Sequence, residues 1–286
     1  MKRLLFHLWY DNDAREAVQF YSTVFKNCKL RHHYVLEDTP SGQVELIGFT
    51  LEDLALEALN AGPFFQRNPS ISLALFCQNE QECTQYLHTL THKILRPLPA
   101  SFIWPNFALV EDRFGLSWIL SIYPEKAPGK IIPCLHFPRD YTQALLQYRQ
   151  MFQDDRKEPF LGHDLFSMLW IQESPLLLSK GVLEPEVSFT PALSFIYLCQ
   201  NQQEIDSFYH GFSTDPSGEQ CGWILDRFGV SWQIVPDFLF DHPLVIDPFT
   251  YQKLNQKILS MKRLEYDSLF KLACQSHEQS HEKRSR

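Results

Sequence analysis

The chain has 286 residues, of which 44% are hydrophobic and 14% aromatic, ample material for packed cores and too much for a disordered chain. Its formal net charge of -8 argues against a general nucleic-acid binder, which needs a basic face to neutralise phosphates. No apolar run reaches the roughly 18 residues of a membrane span, and the basic start meets Asp11 too soon for a secretory leader, so no membrane association is expected.

In chain order, Leu4 to Trp9 reads as a short apolar strand. Asp11-Asn-Asp13 offers side-chain oxygens to the free amides of a first helical turn. Ala14, Ala17, Val18, Tyr21, Val24 and Phe25 then keep the stripe of a core-facing helix. Strands are expected near 29–36, 43–51 and 53–59, with Thr39-Pro-Ser-Gly42 as a turn. Strand 71–77, helix 80–90 and strands 107–111 and 116–122 follow, the last two joined through Asp112-Arg-Phe-Gly115, where the glycine can take positive φ. Pro124-Glu-Lys-Ala-Pro-Gly129 is a linker. Beyond it come strand 131–137, helix 140–152, strands 164–171 and 175–180, strand 192–199, helix 202–212 and a hairpin over 220–235. A helix is expected from Asp247-Pro-Phe-Thr250 to about residue 273, with a disordered polar tail over 275–286.

The second half repeats the first. Leu8-Trp-Tyr-Asp-Asn-Asp-Ala-Arg-Glu-Ala-Val-Gln-Phe-Tyr-Ser-Thr-Val-Phe25 lies over Leu135-His-Phe-Pro-Arg-Asp-Tyr-Thr-Gln-Ala-Leu-Leu-Gln-Tyr-Arg-Gln-Met-Phe152. Cys77-Gln-Asn-Glu-Gln-Glu82 lies over Cys199-Gln-Asn-Gln-Gln-Glu204, and Asp112-Arg-Phe-Gly-Leu-Ser-Trp118 over Asp226-Arg-Phe-Gly-Val-Ser-Trp232. The order is preserved and only the connections shorten, so the chain carries a duplicated unit. Seven cysteines, an odd number without a C-x-x-C pair, sit mostly in apolar runs; they read as reduced thiols in a cytoplasmic protein.

The β-α-β-β-β module, used twice per copy, resembles the vicinal oxygen chelate superfamily, which includes glyoxalase I, extradiol dioxygenases and resistance proteins. Ala58-Leu-Asn-Ala-Gly-Pro63, Cys221-Gly-Trp-Ile-Leu-Asp-Arg-Phe-Gly-Val-Ser-Trp-Gln-Ile-Val-Pro236 and Met261-Lys-Arg-Leu-Glu-Tyr-Asp-Ser-Leu269 are similar to its PhnB-like branch, often labelled 3-demethylubiquinone-9 3-methyltransferase. The resemblance implies an α+β fold of two tandem domains, 1–124 and 130–238, each with paired modules in a curved, mainly antiparallel sheet, followed by a C-terminal helix and tail at 239–286. It further implies that one chain mimics the two-subunit arrangement of simpler relatives, as a monomer or a homodimer. No G-x-G-x-x-G loop is present, which argues against methyl transfer from S-adenosylmethionine.

Metalloenzymes of the superfamily hold a divalent ion with His, Gln or Glu. Carried onto this chain, the first-strand position falls on Phe6 and Pro133, the fifth-strand position on Ser72 and Ser194, and the last-strand position on Ile119 and Gln233. Glu57 and Asn60, or Lys180 in the second copy, are nearest to the fourth. Phe, Pro and Ile donate no lone pair and Ser is a poor neutral ligand, so no metal and no cofactor is expected. His7 and His136 are displaced by odd steps and are expected to turn toward the helices. Asp112-Arg113 and Asp226-Arg227 read as turn-holding ion pairs.

What remains is a mainly apolar cup. Phe137, Ser194, Ser231 and Gln233 are expected to bind a small apolar or aromatic molecule in the second copy. Phe6, Leu8, Tyr10, Ser72, Ala74, Ser117, Ile119 and Ser121 line a structural counterpart in the first. The alternatives are a divergent lyase, isomerase or dioxygenase with a rebuilt site, and a protein-interaction scaffold that uses the C-terminal helix. No catalytic residue is assigned.

Overall fold

The computed structural model describes residues 3–123, 127–156, 165–240, 242–245 and 247–284. The first copy contains β1 (Leu4–Tyr10), α1 (Ala14–Val24), β2 (Cys28–Thr39), β3 (Gly42–Leu51) and β4 (Leu54–Asn60). It continues with β5 (Ile71–Cys77), α2 (Glu80–Leu90), β6 (Lys93–Ile94), β7 (Ala108–Glu111) and β8 (Ser117–Ile122). The second copy contains β9 (Ile131–Phe137), α3 (Thr142–Phe152), β10 (Phe166–Ile171), β11 (Ser174–Lys180), β12 (Leu193–Cys199), α4 (Gln202–Phe212), β13 (Trp223–Leu225) and β14 (Ser231–Pro236). A 3-10 turn at Asp237–Leu239, α5 (Pro248–Leu259) and α6 (Tyr266–Arg284) follow.

The strands form two seven-stranded sheets, ordered β13-β14-β12-β1-β4-β3-β2 and β10-β11-β9-β5-β8-β7-β6. Both are mainly antiparallel, with the parallel pairs β1–β4 and β12–β14 in the first and β11–β9 and β5–β8 in the second. Each sheet joins one module from each copy. In the first, β1 runs antiparallel to β12; in the second, β5 runs antiparallel to β9. The copies at 1–124 and 130–238 are units of sequence, and the hydrogen-bonded sheets are built across them; residues 124–126 of the linker lie outside the described residues.

The four repeat helices lie between the sheets in one continuous core. Tyr21 of α1 stacks on Phe49 of the first sheet and meets Trp118 of the second edge-on. Tyr148 of α3, a helix that packs on β10, meets Trp232 of the first sheet. The repeated Asp-Arg-Phe-Gly turn explains why these contacts recur. Asp112 Oδ1 accepts from the backbone amides of Phe114 and Leu116, and its Oδ2 accepts from Tyr21 Oη and Trp118 Nε1, both at 2.8 Å. Asp226 repeats the pattern with Phe228, Val230, Tyr148 (2.6 Å) and Trp232 (2.9 Å). Gly115 and Gly229 close both turns at positive φ, as expected. The expected ion pairs are corrected: Arg113 stacks over Phe20 and Phe114, and Arg227 over Phe228, while each aspartate is buried and spent on neutral donors. A second correction concerns the start of α1, where Asn60 Oδ1 caps the Ala14 amide and Asp13 makes no side-chain cap.

The opposite faces of the sheets are covered too. The segment 95–107, with Trp104, packs on the second sheet. Phe238, Leu239, Phe240, Val245, Leu254, Met261, Leu264 and Leu269 pack on the first. The expected single C-terminal helix is two. They break at 260–265, where the amides of Cys221 and Gly222 bond to the carbonyls of Met261 and Lys262. The tail expected to be disordered is helical to Arg284; residues 285–286 lie outside the described residues. Among the described residues no helix is long and apolar enough to cross a membrane.

Candidate functional site

The face of the first sheet that points away from the helices carries a polar row. Register pairs run His32–Gly48, Gly48–Glu57, Glu57–His7, His7–Ser194 and Ser194–Ser231, from β2 to β14. Gly48 leaves room for the His32 ring: a Cβ there would lie 2.3 Å from His32 Cε1. His32 therefore reaches over β3, and its Nε2 hydrogen-bonds Glu57 Oε2 at 3.0 Å. Glu57 is fully buried and its Oε1 has no partner; His7 is 2% exposed and its Nδ1 has none either. Burial lowers the His7 pKa to about 3, so its imidazole is neutral at physiological pH. Gln233 Nε2 donates to Ser194 Oγ at 3.1 Å.

Aromatic rings surround the row. Trp223 meets His7 edge-on, with centroids 5.4 Å apart. Tyr34 stacks on His32 at 5.0 Å, and Tyr251 of α5 stacks on Tyr34 at 4.0 Å. The Tyr251 phenol is pushed up by burial, then by Glu57 and Tyr34, which places it within the field of the Glu57 carboxyl group. Two surface cavities, of about 680 and 520 Å³, include no residue of the row in their linings.

Repeat correspondence shows what is special here. The matching row in the second sheet reads Met168, Leu177, Cys134, Ser72 and Ser117. Gly48, Glu57 and His7 thus become Met, Leu and Cys, while the two serines persist. His136 also lies on this outer face, but both its ring nitrogens are occupied, by Ser72 Oγ at 2.7 Å and Ser179 Oγ at 2.6 Å. Its pKa too is lowered to about 3 by burial.

Of the four expected binding residues, the structure brings Ser194, Ser231 and Gln233 together on adjacent strands β12 and β14. Phe137 is elsewhere: on β9 of the other sheet, packed against Phe189 and Phe228 in the core between the sheets. The expected faces of the first strands are corrected by one residue. Phe6, Leu8, Tyr10 and Leu135 face the helices, and His7 and His136 face outward, because a one-residue slip in a strand turns every side chain over. Ser72, Ala74 and Ile119 lie on the outer face as expected; Ile196 lies on that of the first sheet, and Trp118 and Trp232 face the helices. His7, His32 and Glu57 were not singled out as a set. β1 is buried on both faces, which erases alternation; the one usable signal was a glycine inside a strand, which marks a close approach.

As a metal site the row falls short. His7, His32 and Glu57 offer two imidazoles and a carboxyl group, but His32 Nε2 is already bonded to Glu57 Oε2, and Ser194 is a neutral hydroxyl to which Gln233 already donates. Among the described residues no three His, Cys, Asp or Glu side chains converge as a metal-binding group.

Two sheets of paired modules around four helices are the architecture that the resemblance to the vicinal oxygen chelate superfamily implied. The chain belongs to the 3-demethylubiquinone-9 3-methyltransferase family, whose model matches residues 2–121 and 129–235. Among solved structures it is similar to glyoxalase I from Zea mays, at 13% identity and TM-score 0.50, over 84% of this chain and 94% of that one. It is also similar to a putative 3-demethylubiquinone-9 3-methyltransferase, PhnB protein, from Bacillus cereus, at 24% identity and TM-score 0.36, over 41% of this chain and 95% of that one. A search of curated proteins returned no match.

Proposed function

We propose that this chain binds a small molecule with an aromatic or apolar body and a hydrogen-bond-donating edge, on the outer face of the first sheet and without a metal. The reading rests on one observation: Glu57, fully buried, keeps an unpartnered carboxyl oxygen beside the unpartnered nitrogen of His7. A buried polar atom left without a partner costs about 1–3 kcal/mol, which a donor on the ligand would recover. Gln233 and Ser194 contact the polar edge, and Trp223, Tyr34 and Tyr251 meet the apolar body. The site thus draws His7, His32 and Glu57 from one copy and Ser194, Ser231 and Gln233 from the other. The seven cysteines are free, which supports a reducing cytoplasmic setting. The paired modules within one chain support a monomer or a homodimer.

A thermal-shift screen of aromatic and apolar metabolites, run beside divalent metals, tests the reading. A compound at about 100 times its dissociation constant should stabilise the protein by roughly 2.7 kcal/mol. Glu57→Gln and Gln233→Leu should remove that shift, and a hit unaffected by both would place binding elsewhere. A shift produced by a divalent metal alone, lost in Glu57→Gln, would overturn the metal-free reading and favour a rebuilt enzyme.

A further inference from the structure

The buried row raises the question of access. Glu57 and His7 are closed off from solvent. Trp223 of β13 lies against His7, and the C-terminal segment, outside the repeat, packs on Leu5, Ala55 and Ile196 of the same outer face and brings Phe240 to 6.5 Å from His32. That segment is tied down unevenly. At one end Tyr266 Oη donates to Asp237 Oδ1. At the other, Cys221 and Gly222 bond through their backbone amides to Met261 and Lys262, Tyr209 Oη donates to the Lys262 carbonyl, and Gln202 bonds to both Leu264 and Tyr266. Between these anchors, α5 packs along α6, where Lys253 Nζ donates to Gln279 Oε1 at 2.7 Å, sets Leu254 into the apolar layer on the first sheet, and meets β2 through side chains. Tyr251 stacks on Tyr34, Tyr34 Oη donates to the Val245 carbonyl at 3.0 Å, and the Gln252 amide bridges the backbone of Glu37, at 2.9 and 3.2 Å. The Glu37–Gln252 contact is exposed, so water competes for it.

We propose that α5 is a hinged cover over the polar row, held shut by the Tyr34–Tyr251 stack and the Glu37–Gln252 bridge, and that the row is reached when α5 swings off β2 about its anchors at 237–240 and 260–266. The cover rests on the binding reading for its purpose, but it is a property of the chain that can be tested without a ligand. Neutral imidazoles react with diethyl pyrocarbonate when exposed, so carbethoxylation of His7, followed by mass spectrometry of its peptide, reports opening. His136 is equally buried in the other sheet and serves as the internal reference.

The double variant Glu37→Cys/Gln252→Cys places a thiol on each side of the bridge. Oxidation to the disulfide should slow His7 labelling at least tenfold and reduction should restore it, with the His136 rate unchanged in both states. Equal His7 rates in the oxidised and reduced protein overturn the proposal. If the disulfide does not form, Tyr251→Ala decides: labelling of His7 should rise at least tenfold over His136, and an unchanged ratio overturns the cover. Gated labelling in a protein that answers no compound in the screen would leave the cover standing and sink the binding reading. A compound that binds equally fast to the oxidised and reduced double variant would do the reverse.

Discussion

His32 and Glu57 touch although a whole strand lies between them. The imidazole crosses β3 above Gly48, and its Nε2 comes to rest 3.0 Å from Glu57 Oε2. The contact exists because residue 48 has no side chain, a dependence that can be measured.

Gly48→Ala puts a methyl group 2.3 to 2.7 Å from three atoms of the His32 ring. The ring must leave Glu57, and we expect a loss of about 1–3 kcal/mol, the usual range for overpacking. In a His32→Ala background the same substitution should cost almost nothing. Urea unfolding of the four proteins in this cycle gives the coupling energy, and additive costs would show that the two positions do not interact.

Asp112→Ala and Asp226→Ala should be equally damaging. Each strips the acceptor from a tyrosine hydroxyl, an indole and two backbone amides that remain buried. The expected cost is on the order of 3–5 kcal/mol, because unpaired buried donors are expensive. Arg113→Ala and Arg227→Ala, which remove only stacking contacts, should each cost under about 1 kcal/mol. Equilibrium denaturation of the four single variants tests the ranking.

Acid should weaken the fold in a defined window. His7 and His136 have folded pKa values of about 3, below the ordinary 6.5, so the native state favours their neutral form. Their contribution is complete above pH 6.5 and is lost as pH falls from there toward 3, at up to about 1.4 kcal/mol per unit for each histidine. Asp112 and Asp226, raised mainly by burial, act in the opposite sense: their contribution is present at low pH and lost as pH rises through their folded values. His7→Leu should therefore flatten the stability profile between about pH 6 and pH 4 by up to one histidine's slope. An unchanged slope would mean that His7 titrates freely.

Gln233→Leu should leave the fold nearly untouched, since it removes a single hydrogen bond, to Ser194, worth about 1 kcal/mol. Ile119→Gln, at the matching position of the second sheet, introduces an amide into a fully buried apolar cluster and should cost more. Melting temperatures of the two variants make the comparison, and a larger drop for Gln233→Leu would contradict it.

The fold was legible because the repeat is written in residues with fixed geometric duties. Asp-x-Phe-Gly-x-Ser-Trp marks a turn, a buried acceptor and an inward indole in both copies, so β8 and β14 and their inward faces could be read directly. Helices 80–90 and 202–212 were legible to the residue, with Asn79 and Asn201 capping them as sequence chemistry requires. The pairing of modules across copies was not, because each module presents the same apolar seam to any partner. The site was half legible. Gln233 sits on a strand oriented by Trp232 beside it, and Ser194 on one matched to Ser72 by the repeat. His7 sits on a strand buried on both faces, where no alternation orients it, and His32–Glu57 depends on a long-range register that local pattern does not encode.

The exchange of modules between copies makes the chain a set of nested brackets. The second sheet closes over residues that are contiguous, from β5 through β11, whereas the first joins Leu4 to Tyr197 and receives its cover from residues beyond 237. During synthesis the inner bracket can shut while the outer one still waits for its last strands, with β1 to β4 held exposed in the meantime. His7 therefore meets Ser194 of β12 last, long after Glu57 has met His32 within the first module. A chain ending at residue 190 would hold every strand of the second sheet and leave β1 an open edge that carries His7.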